Sequence, residues 1–466
     1  MNDAPGAAAL PRGPGELPAL QTARWLLRPI AFLESCRRRF GHAFSVRFVG
    51  SRTPLVMISD PAAIRVLYSE RENGLVPGRT FALQPLVGNR SILLQEGAEH
   101  LQRRRLMLPP FHGERMRAYE PLVAGIAERE LDRCPLDQPF ALHPHMQRAT
   151  LEVILQAVFG VTEAQRLGRL RRLLPRLLDA ASSASLQLRM LARRTLNAGP
   201  VTSLRPLTDE IDVELFAEIA ERRRDPAASE REDILSLLTL ARFEDGSAID
   251  DREIRDQLMT LLVAGHETTA TALAWTVDLL LRNPVALTRL IAELEEDDGD
   301  EYLRAVIAES LRLRPVVPLA ARRIASELCA DGLVLPAGTN VSPAIWLTHT
   351  RPDLYPEPLA FRPERFLDTP PSTYGWIPFG GGVRRCLGAA FAEMEMRVVL
   401  RELLRTRTLR AASAAAEHPT RRNVTLSPRH GTRIIISPRS RPAVRPPTHP
   451  HRVDRDRPPL TSPPVA

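Results

Sequence analysis

The chain has 466 residues, and 44% of them are hydrophobic, which is enough for a large core and excludes an intrinsically disordered protein. Its 63 basic residues are all arginine, and the net charge is +8. Residues 401–466 hold 14 arginines against four acidic residues, a charge of +10, so residues 1–400 carry −2. Because the positive excess lies in the C-terminal portion, much of it in a Pro-rich tail, the charge pattern argues against a nucleic-acid-binding protein. We expect a solvated tail, with a binding arm as the alternative.

Hydrophobic periodicity and Gly/Pro punctuation predict a mainly α protein with small β-sheets. In chain order we expect a flexible leader over residues 1–20, a hairpin over Ala43–Val49 and Leu55–Ser59, mostly helices over 97–310, β structure over 316–347 with turns at Gly332 and Gly338, a Pro-rich meander over Arg351–Pro378, a helix over Leu387–Arg405, a last strand ending near Ile436, and a disordered Pro/Arg-rich tail over 437–466. The predicted domain is therefore residues 21–436.

The longest predicted helix begins at Asp250 and Asp251, a favourable N-cap, and runs without proline to about Leu281, roughly 48 Å. Its apolar stretch includes His266 and Asp278, which favours a buried core helix over a transmembrane span. The N-terminus lacks an apolar run long enough for a signal peptide or anchor. We therefore expect a cytoplasmic protein without a membrane anchor.

The four cysteines, at positions 36, 134, 329 and 386, have no metal-ligand or redox spacing. Scattered cysteines of this kind are typical of a reducing compartment, and they cannot form a clustered iron–sulfur site.

The run Phe379–Gly388, with sequence FGGGVRRCLG, places Cys386 between a three-glycine loop and an apolar helix. Loop and helix N–H groups, together with Arg384, should lower the pKa of this thiol and favour the thiolate, the species that binds metals. A single cysteine at a helix start is more often a small buried residue, and a Gly-rich loop can also bind phosphate. The phosphate alternative is disfavoured because the chain has no lysine.

This run matches every fixed position of the haem-binding signature Phe-Gly-x-Gly-x-Arg-x-Cys-x-Gly, so the chain resembles the cytochrome P-450 superfamily, over roughly residues 20–437. The resemblance implies the P-450 fold, a mainly α triangular prism with haem b between the long central helix and the cysteine-loop helix. It also implies Cys386 as the axial ligand of the haem iron and Arg384 as the partner of a haem propionate. Phe379 would shield the sulfur, and Gly388 would let the next helix approach the porphyrin.

The run Ala264-Gly265-His266-Glu267-Thr268-Thr269 lies midway along the long helix. A mid-helix glycine is unfavourable by about 1 kcal/mol relative to alanine, so close approach of a flat ligand or a local bulge is expected there. A structural kink with satisfied hydroxyls is the alternative. The run resembles the family's acid–alcohol motif, which implies that Ala264 and Gly265 lie against the haem, that Thr268 hydrogen-bonds dioxygen, and that Glu267 relays protons. His266 occupies the variable position of that motif.

Glu309 and Arg312 resemble the family's Glu-x-x-Arg pair, and Arg365 resembles the meander arginine that completes a structural triad. His100 and Arg104 lie four residues apart, hence on one helix face, and resemble the pair that contacts the haem propionates. Arg322 resembles the third propionate contact, with Arg323 as the alternative.

The resemblance implies a monooxygenase, which inserts one atom of O₂ into an organic substrate while the other atom leaves as water. Electrons would come ultimately from NAD(P)H through a ferredoxin or flavodoxin and its reductase, docked near Arg103 or Arg105 and Arg385. A peroxide-driven peroxygenase and a non-catalytic haem sensor are the alternatives. The chain is expected to be a monomer.

The substrate is expected to be apolar and fatty-acid-, terpenoid- or polyketide-like. The segments that correspond to the family's pocket are largely apolar. They are Gly78–Leu94, Leu167–Thr208 and Val316–Ala321, with Phe81, Leu83, Leu86, Val316, Val317 and Leu319 as the prominent side chains.

Overall fold

The computed structural model describes residues 10–70, 84–111, 113, 115–183, 186, 189, 203–296, 299–367, 369, 371–422 and 424–439. The helices are α1 (Pro18–Leu27), α2 (Pro29–Phe40), α3 (Pro61–Ser69), α4 (Gly97–Met107), α5 (Arg115–Asp132), α6 (Leu142–Val153), α7 (Ala164–Ser182), α8 (Arg205–Arg224), α9 (Ile234–Leu240), α10 (Asp251–Arg282), α11 (Pro284–Glu296), α12 (Glu301–Leu313), α13 (Ile345–His349) and α14 (Ala389–Thr406). The expected mainly α architecture is confirmed.

The strands are short and form small sheets. They are β1 (Ala43–Val46), β2 (Leu55–Ile58), β3 (Phe140–Ala141), β4 (Arg322–Arg323), β5 (Leu328–Ala330), β6 (Leu333–Leu335), β7 (Asn340–Pro343), β8 (Arg407–Ala411), β9 (Pro419–Arg422), β10 (Thr425–Pro428) and β11 (Arg433–Pro438). The strand orders are β1-β2-β7-β4, β3-β11-β8, β9-β10 and β5-β6. The predicted hairpin is confirmed as the antiparallel pair β1–β2, and Gly332 and Gly338 adopt positive φ at turns.

Helix α10 is the central element and has 32 residues. Its N-cap is Asp250, whose side chain accepts a hydrogen bond from the Glu253 N–H group, as the sequence predicts. His266 and Asp278 are buried within it, and Asp278 pairs with Arg282 at 2.9 Å. Helices α6, α8, α12 and α14 pack against α10, so it forms the core of the domain. In the part of the chain that the structure describes, no helix combines the length and apolarity needed to cross a membrane.

Both predicted domain boundaries fall inside secondary structure. Helix α1 already begins at Pro18, and the Gln21 side chain in it donates hydrogen bonds to the backbone carbonyls of Pro14 and Glu16. At the other end, β11 continues to Pro438, which pairs with Arg407. Regular structure thus begins a few residues before the predicted boundary at 20 and ends a few residues after the one at 436, and the division into leader, domain and tail stays a prediction. The expected tail lies outside the described residues from position 440 onward.

Candidate active site

The loop before Cys386 turns tightly against helix α3. Gly380 and Gly382 have φ values of 68° and 62°, in the left-handed region that favours glycine. A Cβ atom on Gly381 would lie 2.2 Å from the Tyr68 ring, and one on Gly382 would lie 2.4 Å from the Tyr68 carbonyl oxygen. The three glycines are therefore required by both the turn and the close approach of α3.

Cys386 lies two residues before the N-cap of α14. Its N–H group donates to the Phe379 carbonyl oxygen at 2.9 Å, and Phe379 packs edge-on against Trp376. Helix α14 begins at Ala389, two residues later than predicted, with Gly388 as the N-cap. A Cβ atom on Gly388 would meet only Phe111, at 3.9 Å.

The expectation of a lowered thiol pKa at Cys386 is wrong for the polypeptide by itself. Burial raises the pKa of this thiol, and this effect outweighs the Gly388 N–H group and the charges of Arg385 and Arg104, which all lower it. The protein charges thus stabilise a thiolate only in part. A bound metal cation would supply the missing positive charge, since a coordinating thiol is deprotonated.

A buried ion cluster lies behind this loop. Arg312 and Glu309 pair at 2.7 Å with no exposed side-chain surface, and Arg365 reaches Glu309 at 3.1 Å. The Arg312 guanidinium also donates to three backbone carbonyl oxygens, that of His349 at the end of α13 and those of Pro358 and Ala360 in the meander. The structure therefore brings together the three residues that the sequence grouped.

His349 connects that cluster to the cysteine loop. Its Nδ1 atom lies 3.1 Å from the Arg312 carbonyl oxygen, and its Nε2 atom accepts the Ile377 N–H group at 2.8 Å. Burial and the Arg312 charge lower the pKa of His349 to about 3, so its ring is neutral. The Trp376 indole donates to the Ala308 carbonyl oxygen, which gives a second link between α12 and the loop.

The middle of α10 has an open face. Ala264 is exposed, and Thr268, one turn later, donates from Oγ1 to the Ala264 carbonyl oxygen at 2.6 Å. Gly265 is on a different side of the helix, and a Cβ atom on it would meet the Ile154 side chain at 3.4 Å. The expected bulge at Gly265 is absent, since α10 is continuously α-helical there. Each residue turns the helix by about 100°, which takes Gly265 away from the face of Ala264 and Thr268.

Glu267 sits in a polar network beside this face. Gln147 donates to its Oε2 atom at 2.6 Å, while Thr271 and Ser427 approach its Oε1 atom at 3.3 and 3.4 Å. The Arg422 guanidinium lies 4.0 Å from Oε1, and its side chain is 39% exposed. The network therefore extends from the middle of α10 toward solvent. Sequence reasoning missed Gln147 and Arg422, because nothing in their local sequence distinguishes them.

His266, the variable residue of the motif, is buried and neutral. Burial lowers the pKa of its imidazole to about 4, and the ring hydrogen-bonds to the backbone of Gln147. The His266 carbonyl oxygen accepts the Thr150 hydroxyl at 2.9 Å. The residue therefore fixes α10 to α6.

Four basic side chains, those of His100, Arg104, Arg322 and Arg384, lie close to one another. Burial lowers the pKa of His100 to about 4, and the nearby charges of Arg384, Arg104 and Arg322 lower it further. No acidic group contributes to this shift. Arg104 also acts on Cys386, so these side chains lie around the cysteine. The guanidiniums of Arg104, Arg322 and Arg384 together fit a dianionic group, as the two haem propionates would provide.

Strand β4 decides between Arg322 and its neighbour. Arg322 is 6% exposed, whereas Arg323 is exposed on the other face of the strand. Successive strand residues point to opposite faces, so only Arg322 joins the basic cluster.

A cavity of about 790 Å³ adjoins the open face of α10 and lies within the usual size range of small-molecule sites. Its lining includes Leu86, Ile126, Leu151, Leu178, Leu186, Leu204, Val263, Glu267 and Thr268. Val316, Val317 and Leu319 are not among its lining residues, because Val316 is buried in the core instead. Phe81 and Leu83 lie outside the described residues. The β9–β10 hairpin, which the sequence did not indicate, contributes Arg421, Arg422, Val424 and Thr425.

Glu395 is a further buried acid that sequence reasoning missed. It lies on α14, is 3% exposed, and hydrogen-bonds to Thr269 of α10, the residue after Thr268. Burial raises the pKa of Glu395 from 4.5 to about 8, so the carboxyl group is protonated at neutral pH. A neutral carboxyl group therefore joins the cysteine helix to the central helix.

The raised pKa of Glu395 predicts that stability falls with rising pH. The folded protein holds a proton that the unfolded chain releases, so this stabilisation is complete below pH 4.5 and is lost as the pH rises to about 8. We expect the melting temperature of Glu395→Gln, relative to that of the original chain, to rise across this window and to level off above it. A difference between the two proteins that does not change with pH would contradict the assignment.

Comparison with known proteins agrees with these features. Residues 11–434 match the family described as Cytochrome P450. The chain is 41% identical to cytochrome P450 135B1 of Mycobacterium tuberculosis over 433 residues, 92% of this chain and 91% of that protein. It is 36% identical to cytochrome P450 138 of the same organism over 424 residues, 88% and 94% of the two chains.

Solved structures give the same result. The chain is similar to the retinoic-acid-bound cyanobacterial CYP120A1, with a TM-score of 0.79 and 26% identity over 92% of this chain and 100% of that one. A cytochrome P450DA heme domain shares the fold, with a TM-score of 0.77 at 22% identity over 92% of this chain and 98% of that chain. The chain therefore belongs to the cytochrome P450 family and is a haem-thiolate monooxygenase.

Proposed function

We propose that this cytochrome P450 inserts one atom of O₂ into an apolar organic substrate, by hydroxylation or epoxidation, in the cavity beside Thr268. Electrons come from NAD(P)H through a separate ferredoxin or flavodoxin with its reductase, and the enzyme acts as a cytoplasmic monomer. The observation that carries the proposal is the pairing of an apolar cavity with Thr268 and Glu267 on the open face of α10.

Residues of the cysteine loop and of the elements around it would hold the haem. The Cys386 sulfur would ligate the iron, Arg104, Arg322 and Arg384 would neutralise the propionates, and the neutral His100 ring would hydrogen-bond to one of them. Ala264 would lie against the haem, Phe379 would cover the sulfur, and Gly388 would let α14 begin directly after the ligand. When bound, the haem supplies the oxidising chemistry, and the surrounding residues orient it and exclude water. A Cβ atom on Gly265 would meet Ile154, and the contact of this glycine with the haem stays a prediction.

Thr268 and Glu267 have different roles in proton supply: Thr268 donates a proton in the cavity, and Glu267 replaces it from solvent. The Thr268 hydroxyl is held by the Ala264 carbonyl oxygen, and it lines the cavity. An alcohol has too high a pKa to release protons repeatedly, so a carboxylate that exchanges with solvent must replace them. Glu267 suits this role, because its carboxylate lines the same cavity and lies within 4.0 Å of the partly exposed Arg422.

The pair also bears on the alternative functions. A peroxygenase receives both protons and electrons from peroxide, and a haem sensor needs no proton supply, so neither requires Thr268 and Glu267. Turnover with NADH, ferredoxin and reductase separates the three functions. A peroxygenase would work only with peroxide, and a sensor would work with neither.

Thr268→Ala is expected to uncouple electron consumption from product formation. The variant should bind haem and oxidise NADH, while product per NADH falls several-fold and peroxide or water rises, because the proton route is interrupted. Product, peroxide and NADH are measured with a substrate identified by the spin-state shift across lipid, terpene and polyketide compounds.

Thr276→Ala is the matched control for this experiment. Thr276 makes the same hydrogen bond one turn back, to the Ala272 carbonyl oxygen at 2.9 Å, but it is fully buried and lies outside the cavity lining. Coupling should survive in Thr276→Ala. Unchanged product per NADH in Thr268→Ala would show that Thr268 has no role in proton supply.

The substrate is apolar, since aliphatic side chains make up much of the cavity wall. The similar CYP120A1 structure contains retinoic acid, a ligand of that protein, which supports a chain-like or isoprenoid compound here. Fatty-acid, terpenoid and polyketide-like substrates all fit this description.

The redox partner docks on the face around Arg385, which is exposed beside Cys386. Arg103 does not contribute as expected, because its side chain is 16% exposed and pairs with Glu253 at 2.8 Å. Arg105 is exposed, although it pairs with Glu244 at 2.6 Å. An acidic partner would be steered toward this face, and salt would screen the attraction.

A further inference from the structure

The cavity beside Thr268 carries an excess of positive charge. Within the part of the chain that the structure describes, six arginines and four acidic residues line it. Most of the arginines have acidic partners nearby. Arg133 and Arg148 pair with Glu130, and Arg171 makes two hydrogen bonds to Glu152.

Two further cavity arginines have their charges stabilised in different ways, one by acidic neighbours and the other by solvent. Arg422 lies 3.7 Å from Asp179 and 4.0 Å from Glu267, so acidic groups lie near it. Arg129 is exposed to solvent and acts on Glu152. The remaining cavity arginine, Arg421, has neither an acidic neighbour among the described residues nor full exposure to solvent.

Arg421 is a half-buried guanidinium without an acidic partner among the described residues. It lies on β9, paired with Leu426 of β10, and burial alone lowers its pKa, with no compensating carboxylate. Its described contact is with the ring of Trp25 on α1, whose centroid lies 5.9 Å from the guanidinium carbon. Removing a charge from water without an opposite charge is unfavourable, so this position favours an anion supplied from outside the chain.

The Trp25 contact also limits the chemistry of that anion. An aromatic ring against a guanidinium leaves the N–H groups at its edge available to a planar acceptor, and a carboxylate fits two of them at once. The same cavity extends from Arg421 to Thr268, and Leu178, Leu204 and Val263 line it as well. An anionic end at Arg421 would therefore leave an apolar body directed toward Thr268.

The geometry points to Arg421 as the binding site for the carboxylate of an amphipathic substrate, a long-chain or isoprenoid carboxylic acid whose apolar part is oxidised beside Thr268. This inference deepens the proposed function and rests on it. The β9–β10 hairpin would then orient the substrate through Arg421, and acids should bind more tightly than their neutral esters.

The test uses the haem-loaded full-length protein and acid–ester pairs from dodecanoic to hexadecanoic acid, together with farnesoic acid. Binding is followed by the spin-state shift and, independently, by isothermal titration calorimetry. In Arg421→Gln the dissociation constant of the preferred acid should rise about tenfold or more, while that of its methyl ester should stay within a factor of two to three. Arg421→Lys, which keeps the charge without the planar fork, should recover part of the lost affinity.

Arg429→Gln is the matched control, since Arg429 follows β10, is exposed, and lies outside the cavity lining. It should leave the binding of acid and ester unchanged. The inference is overturned if no acid binds the original chain more tightly than its ester, or if Arg421→Gln weakens acid and ester equally. A normal thiolate spectrum with either result would leave the monooxygenase function standing. Arg421-dependent acid binding by calorimetry without a thiolate spectrum would instead contradict the proposed function alone.

Discussion

Cys386→Ser is expected to abolish the thiolate-type Soret band of the reduced protein under carbon monoxide, and substrate oxidation with it. Cys386 follows a loop held against α3, and the Gly388 N–H group and the charges of Arg385 and Arg104 all stabilise its thiolate. A serine hydroxyl keeps the size but cannot form the thiolate, which donates electron density to the iron and favours cleavage of the O–O bond. The absorption spectrum and haem content of the purified variant measure the effect directly.

Cys329→Ser provides the control for this spectrum. Cys329 also forms no disulfide; it lies on β5 and not in the cysteine loop, and its thiol donates to Glu327. This variant should keep the full thiolate band. A Cys386→Ser protein that retained the band, or an original chain with the spectrum of an imidazole-ligated haem, would show that Cys386 is not the ligand.

Arg312→Ala is expected to destabilise the folded protein by about 3–5 kcal/mol, because it leaves the Glu309 carboxylate buried with half of its charge partners removed. The backbone carbonyl oxygens of His349, Pro358 and Ala360 lose their donor in the same step. We expect a lower melting temperature and loss of bound haem, since this cluster supports the loop that carries Cys386. Thermal unfolding and the ratio of haem to protein measure the two effects.

Arg37→Ala is the matched control, because Arg37 and Glu34 have the same spacing on a helix. Their side chains are 30% and 22% exposed and 3.2 Å apart, so water replaces the lost partner and the expected change is below about 1 kcal/mol. Equal destabilisation by Arg312→Ala and Arg37→Ala would contradict the prediction, because burial of the Glu309 cluster would then add nothing to the free energy of unfolding.

The sequence was sufficient for the elements whose signals are local. The N-cap at Asp250, the β1–β2 hairpin and the glycine loop were all predictable, because each depends on residues within a few positions of one another. Glu309 and Arg312 have many sequence equivalents in this arginine-rich chain, and only their order relative to the other motifs distinguished them.

The predictions that failed depend on contacts between distant residues. Arg103 looked like a surface residue, but its partner Glu253 lies 150 positions away in sequence. The bulge expected at Gly265 is absent, because α10 is continuously helical there and Ile154 packs beside this residue. No sequence signal marked Arg421, one of two adjacent arginines in a short strand. Only the tertiary structure shows that Arg422 lies near Glu267 whereas Arg421 lies over the ring of Trp25.

The cluster of Glu309, Arg312 and Arg365 also determines which basic residue this scaffold can use. All five N–H donors of the Arg312 guanidinium are engaged, two with the Glu309 carboxylate and three with backbone carbonyl oxygens. Five donors in one plane are a property of arginine, and the three donors of a lysine ammonium group could not reach these acceptors together. A chain that contains no lysine therefore loses nothing at this position, where only arginine has the required geometry.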